Sequence, residues 1–288
     1  MRFATFEKDG RQGLAVVNSD GSLSGHLAGD AAYPGALETL IGGGQAALAE
    51  LGERLAAGSR YTLAQVRLLP PLTRPAKIIC IGLNYMAHAK EAGLEVPNYP
   101  TLFARFASSL IGHEAPLLRP LASSQLDYEG ELAVVIGKGG RRIAKAEALN
   151  HVAGYSVFNE GSVRDYQLKT TQWMAGKTFD GTGGFGPWLV TPDELPAGAA
   201  GLRLQTRVNG NIRQDTLTSD LIFDVAALIQ LVSEAFTLEP GDVIVTGTPS
   251  GVGHARKPPV YLKAGDVCEV EIEGIGLLRN PVVDEAAA

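Results

Sequence analysis

Short β-branched or alternating runs separated by Gly-rich corners recur along most of this chain, and helical periodicity is confined to short stretches. Near the N-terminus Arg2–Phe6, Leu14–Val17 and Leu23–Leu27 are short alternating runs, punctuated by Asp9-Gly10 and Asp20-Gly21 as hairpin turns. A helical segment over Ala46–Ala57 ends near Gly58, and Pro70-Pro71 with Pro75 then marks a linker. Residues 1–72 therefore read as a small N-terminal β-hairpin module ahead of a larger domain over 73–288. In that domain Lys77–Ile81, Glu131–Ile136, Gly154–Phe158, Leu202–Val208, Val243–Thr246 and Val267–Ile272 are β-branched or alternating runs and predict strands. One amphipathic helix is expected, with Ile222, Val225, Ala226, Ile229, Val232 and Phe236 on one face and Ser219 or Asp220 as its N-cap. It ends before Glu239-Pro240-Gly241-Asp242, a turn that launches the next strand. Many strands, few helices and 35 glycines predict a β-rich α+β fold rather than a doubly wound sheet.

Composition narrows the function. The 288 residues are 45% hydrophobic and 19% charged, enough to bury a sizeable core without disulfides or structural metals. A net charge of −6 argues against nucleic acid, whose phosphates demand a basic face. Cys80 and Cys268 lie far apart in apolar stretches and read as buried, reduced thiols. The N-terminus is too polar for a secretory signal, and Leu221–Phe236 is interrupted by Asp224, Gln230, Ser233 and Glu234. A cytoplasmic protein with no membrane span is expected. No Gly-x-Ser-x-Gly elbow is present, which disfavours an α/β serine hydrolase. The Gly-rich run Thr246–Gly253 lacks a P-loop ending, since His254 and Ala255 follow it, and reads as a tight turn shaping a pocket. Trp173 and Trp188 read as packing residues, and His254 has no partner that can be named.

The candidate chemistry centres on Glu129-Gly130-Glu131, which leads into the apolar run Leu132–Ile136. On a strand the two acids share a face, because side chains alternate. Their Cα atoms would lie roughly 6.5–7 Å apart, a gap that two carboxylates can close on one hard cation. Gly130 leaves room for close approach on the other face. A third acid, Glu160, follows the apolar strand Gly154–Phe158. Three carboxylates favour magnesium, manganese or calcium over zinc. The alternative is that these acids are solvated, or are partners of Arg164.

The chain resembles the fumarylacetoacetate hydrolase family in a series of ordered motifs from Lys77 to Val282. They are Gly82-Leu83-Asn84-Tyr85 with His88 and Glu91, Asp127-Tyr128-Glu129-Gly130-Glu131-Leu132, and Gly154-Tyr155 through Arg164-Asp165-Tyr166-Gln167. Lys177-Thr178-Phe179-Asp180, Gly186-Pro187-Trp188, the run Pro240–Gly253 and Gly276-Leu277-Leu278-Arg279-Asn280-Pro281 complete the series. The resemblance implies a mixed β-sandwich or roll, a magnesium or manganese ion, a homodimer, and a small acylpyruvate, β-diketo or other 2-oxo acid as substrate. By position it makes Glu129, Glu131 and Glu160 the metal ligands, His88 and Glu91 the water-activating pair, and Lys177 the buried catalytic lysine. Tyr85, Arg105, Arg164, Gln167 and Thr248 fall on the substrate side. Two departures stand out: Glu160 replaces the usual Asp, and Arg105 stands where many members carry Lys.

These groups suit hydrolysis of a carbon–carbon bond in a 1,3-dicarbonyl. Glu91 would orient His88, three residues away on a helical turn, as the base that deprotonates water. Lys177 would stabilise charge developing on the attacked carbonyl. A 2-oxo acid decarboxylase, a hydratase or a 2-hydroxy-dienedioate isomerase on the same scaffold is the alternative, and a binding module without turnover is the third.

Overall fold

Alternation along one strand explains the layering. In Gly130–Ile136 every residue is buried. Leu132, Val134 and Ile136 enter one core with Leu204, Val270, Ile272 and Leu278, while Ala133 and Val135 enter another with Phe158, Phe185, Val243 and Val245. The strand is thus covered on both faces, as its near-continuous apolar composition requires. The computed structural model describes residues 1–91 and 98–286. Its backbone forms a 12-stranded mixed sheet packed on a five-stranded sheet, with few helices, a β-rich α+β fold.

Gly130–Ile136 lies in the middle of the large sheet, antiparallel to Val152–Glu160 on one side and to Val243–Val245 on the other. Val243–Val245 then pairs parallel with Ile78–Gly82, which carries the edge strand Thr101–Arg105. In the other direction Val152–Glu160 pairs with Gly183–Val190, and that strand with Arg2–Lys8. The hairpins Arg2–Lys8, Arg11–Val17 and Leu23–Leu27 therefore extend the same sheet across the change in sequence character near residue 72. Asp9 and Gly10 both take positive φ (52° and 75°), the conformation a tight hairpin turn with right-handed strand twist requires. The helix Gly44–Ala56 covers this end with Leu48, Leu51 and Leu55.

Another helix, Val225–Ala235, packs Val225, Leu228, Ile229 and Val232 against the first core. Its N-cap is Asp224, whose carboxylate accepts from the Ala227 amide, and not the expected Ser219 or Asp220. Those two belong to a separate 3₁₀ turn, Thr218–Asp220. Between them Ile222 and Phe223 are held out of the helix by Asn84: its carbonyl accepts from the Ile222 amide, and its side chain bonds both the N–H and the C=O of Phe223. Among the described residues no helix is long and apolar enough to cross a membrane.

Candidate metal and acid–base site

The large sheet brings three acids together because of register. Gly130 pairs with Asn159 and Glu131 with Phe158, and the Glu160 amide donates to the Glu129 carbonyl at 2.8 Å. By alternation Glu131 projects to the Ala133 and Val135 face, and Glu160 to the Phe158 face, which is the same one. All three carboxylates are almost fully buried, and oxygens drawn one from each lie within 4.8 Å of one another. Gly130 is needed opposite them: a Cβ there would meet Thr206 Oγ1 at 2.2 Å and Val270 Cγ1 at 2.9 Å.

Two cations face this cluster. Lys177 ends the short helix Met174–Lys177, and its ammonium bonds Glu129 Oε2 and, at 3.0 Å, Glu160 Oε2. Gly176 permits that approach, since a Cβ would fall 2.3 Å from the Gln167 amide nitrogen. Arg164 contacts Glu129 Oε1 at 2.7 Å and Asp127 Oδ2 at 2.8 Å, and donates to Gln167 Oε1 at 2.8 Å. Burial opposes the charge on Glu129, but Arg164 and Lys177 outweigh it and hold that carboxyl far below the ordinary range. Glu131 goes the other way: burial, then the neighbouring Glu160 and Glu129, push it well above the ordinary range. Its Oε2 accepts from the Gly247 amide at 2.5 Å. Lys177 stays cationic, because Glu129 and Glu160 offset the cost of burying it.

The residues fit a divalent cation. Three oxygens within 4.8 Å of one another share a centre no more than about 2.8 Å from each, so a small closing movement brings them to the 2.0–2.6 Å of a bound cation. Glu160 Oε1 is buried without a hydrogen-bond partner, and Glu131 is a carboxyl whose neighbours repel its charge. Both features ask for positive charge at the point where the acids converge.

A cavity of about 550 Å³ opens on the cluster. His88, Glu91, Arg164, Gln167, Lys177 and Thr248 line it together with the three acids. His88 and Glu91 lie on the helix Met86–Glu91, with Nδ1 3.4 Å from Glu91 Oε2. The Glu91 carboxylate also accepts the Gly251 amide, at 3.0 and 3.1 Å. Burial raises its pKa, but the hydrogen bonds from His88 and Gly251 prevail and hold it below the ordinary carboxylate range. Thr248 donates to the Gly130 carbonyl at 3.0 Å, which ties the Gly-rich turn to the acid-bearing strand.

Tyr85 and Arg105, expected on the substrate side, stand behind the cavity wall. Tyr85 is 1% exposed. The Arg105 guanidinium is fully buried and donates to Ser109 Oγ, the Gly161 carbonyl and Thr182 Oγ1, with Nη1 3.9 Å from the unpartnered Glu160 Oε1. Sequence reasoning also passed over several contributors. Asp127 receives Arg164 and the amides of Gly253 and His254, so one buried carboxylate fixes both a cavity cation and the cavity loop. Gln214, from the five-stranded sheet, accepts from the Gly130 amide and donates to Thr248 Oγ1 and the Pro249 carbonyl. Trp173, read as packing, also lines the cavity, edge-on to Phe103. Asp127 lay within a recognised motif; Gln214 had no local signal at all.

A family model described as fumarylacetoacetate (FAA) hydrolase C-terminal matches residues 77–283. Among curated relatives, an oxaloacetate tautomerase, FAHD2A, mitochondrial, from Homo sapiens is 42% identical over 94% of this chain and 87% of its own length. Its counterpart fahd2 from Xenopus laevis is 47% identical over 76% of this chain and 69% of its own. Among solved structures, a fumarylacetoacetate hydrolase from Exiguobacterium antarcticum is 41% identical with a TM-score of 0.87, covering 99% of this chain and 100% of that one. A 2-hydroxyhepta-2,4-diene-1,7-dioate isomerase from Mycobacterium marinum is 30% identical with a TM-score of 0.77, each chain covered in full.

Proposed function

The chain belongs to the fumarylacetoacetate hydrolase family, and from that premise we propose that it is a divalent-metal-dependent tautomerase of a small 2-oxo acid, of the oxaloacetate type. The observation that carries this reading is the buried Glu129–Glu131–Glu160 cluster sharing one cavity with Lys177 and the His88–Glu91 pair. The names of the relatives supply the substrate type.

Glu129, Glu131 and Glu160 would hold the ion, magnesium or manganese by their all-oxygen chemistry, and when bound it would supply Lewis-acid polarisation of the 2-oxo carboxylate. The chain's own residues do the rest. His88, oriented through Nδ1 by Glu91, takes a proton from the carbon next to the keto group. The C–H electron pair becomes the C=C bond of the enol, and the keto oxygen receives a proton in exchange, so the net change is a proton shift with no oxidant or water consumed. Lys177 hydrogen-bonds the oxygen on which negative charge develops. Arg164 and Gln167 orient the carboxylate end.

In a coupled assay with magnesium, purified protein is expected to speed enol–keto exchange of oxaloacetate. His88→Ala should lower that rate by about 10²–10⁴-fold. Exchange no faster than in a chelator-treated control sinks the proposal.

Carbon–carbon hydrolysis is the second reading, favoured by the same His88–Glu91 pair, which suits activation of water as well as carbon deprotonation. Release of pyruvate from acylpyruvates would establish it, and exchange without cleavage would leave tautomerisation alone. The homodimer implied by the family belongs to the same proposal, and light scattering tests it.

A further inference from the structure

The His88–Glu91 pair stands on the six-residue helix Met86–Glu91, which is too short to hold its own conformation, so its orientation must come from partners outside it. Among the described residues, the side-chain hydrogen bonds of that helix are the one between His88 and Glu91 and those that Glu91 accepts from the Gly251 amide. Whatever fixes Gly251 therefore fixes the base.

Gly251 is held from three sides. Its φ is 104°, a backbone conformation open to glycine, and it packs closely on the strand Asn211–Leu217, where a Cβ would fall 2.1 Å from the Arg213 carbonyl oxygen. Its own carbonyl accepts from the Tyr128 hydroxyl at 3.0 Å and from Arg256 Nη2 at 3.3 Å. Arg256 ties the arrangement together: Nη2 also donates to the Arg213 carbonyl at 3.1 Å, and Nε to the Tyr128 hydroxyl at 3.2 Å. One half-buried guanidinium thus joins Tyr128, the neighbour of Glu129, to a strand of the five-stranded sheet and to the turn that holds Glu91. A planar fork of fixed donors suits that task, and a single ammonium does not span it. The charge acts in the same sense as the bonds. Burial raises the Glu91 pKa, while the hydrogen bonds from His88 and Gly251 and the positive charge of Arg256 lower it and keep the carboxylate an acceptor for both partners.

We propose that Arg256 is a positioning residue for the acid–base pair: by clamping the Gly251 turn it sets the Glu91 carboxylate, and through it the His88 ring, over the cavity. This rests on the acid–base role given to His88 above and adds the residue on which the orientation of that base depends.

The test compares Arg256→Met, Glu91→Ala and the double variant in the magnesium-loaded full chain, by enol–keto exchange of oxaloacetate and by hydrogen exchange of the Gly251 amide. Arg256→Met is expected to lower kcat by about 10–10²-fold, the usual penalty for a misplaced catalytic group, with KM changed by less than about threefold. Its Gly251 amide should exchange about tenfold faster or more, as a loosened turn requires. Arg256→Lys, which keeps the charge and loses the fork, should recover only part of kcat. Because Arg256 acts through Glu91, adding Arg256→Met to Glu91→Ala should cost less than about twofold more. Should Arg256→Met fail to fold, Tyr128→Phe removes one hydroxyl of the same clamp and is expected to lower kcat and free the Gly251 amide in the same way. Unchanged kcat, losses that multiply in the double variant, or a loss confined to KM overturns the inference and leaves the acid–base reading intact. Unaltered protein that does not speed the exchange overturns that reading, and this inference falls with it.

Discussion

Arg105 illustrates how a single residue acts on a site from behind its wall. Its guanidinium spends its hydrogen bonds on Ser109, Gly161 and Thr182, and so stands rigidly behind Glu160 with Nη1 3.9 Å from Oε1. A long carboxylate such as Glu160 needs that support, because it has one more rotatable bond than Asp. Fixing the residue that orients a metal ligand usually matters about 10–100-fold in affinity. Arg105→Met should therefore weaken manganese binding by about that factor, read by calorimetry, with the fold checked by circular dichroism. Arg105→Lys keeps the charge but loses the fork, and should recover only part of the affinity. Manganese affinity equal to that of the unaltered protein in both variants would mean that Arg105 serves the packing of Gly161 and Thr182 alone. The convergence of Glu129 and Glu131 was legible in the sequence, because carboxylates spaced by two on a strand share a face. The direction in which Arg105 and Tyr85 face was not, since burial of a cation depends on partners 56 and 77 positions away.

At the scale of elements, periodicity located strands well and boundaries less well. Val267–Ile272 has the expected limits, whereas the strand expected over Gly154–Phe158 runs from Val152 to Glu160 and so carries the third acid itself. The late start of Val225–Ala235 has a specific cause. Ile222 has the helical spacing, yet Asn84 from a distant loop bonds the backbone of 222–223 in a non-helical form, and local pattern cannot anticipate that. The cap that results is testable: Asp224→Ala should cost about 1 kcal/mol of stability, measured by denaturant unfolding, and Ser219→Ala close to nothing. A larger loss at Ser219 would contradict the observed cap. Gly130 is the other element-level constraint. Gly130→Ala must push Thr206 and Val270 away and should destabilise by about 1–3 kcal/mol. Because the same strand carries Glu131 and follows Glu129, metal affinity should fall along with stability.

For the whole molecule the proposed metal site would set up a competition between protons and metal at the acid cluster. In the ion-free protein Glu131 has its carboxyl pushed well above the ordinary range by burial and by Glu160 and Glu129, so the folded chain keeps a proton there that the unfolded chain has released. Its contribution to stability is present below the unfolded pKa and is lost as pH rises toward the folded value. Glu129 has the opposite sign: its carboxyl is held down by Arg164 and Lys177, so its contribution is present above the unfolded pKa and is lost as pH falls below it. The two windows do not overlap, one lying on the acid side of the ordinary carboxylate range and the other on its alkaline side. A metal bound by Glu131 would reverse the first effect, because a ligand must be ionised. The melting temperature of chelator-treated protein should therefore fall as pH is raised from about 5 to 8. Added magnesium or manganese should stabilise increasingly over that range, by about 2.7 kcal/mol at a hundred times its dissociation constant. Glu131→Gln separates cause from coincidence. It removes the repelled charge while keeping the shape, so the ion-free variant should be at least as stable as the parent at pH 8 and should gain little from metal. If that variant were instead destabilised at pH 8 and stabilised by metal like the parent, Glu131 would not be a ligand, and the cluster would be an ion-pair network around Lys177 and Arg164.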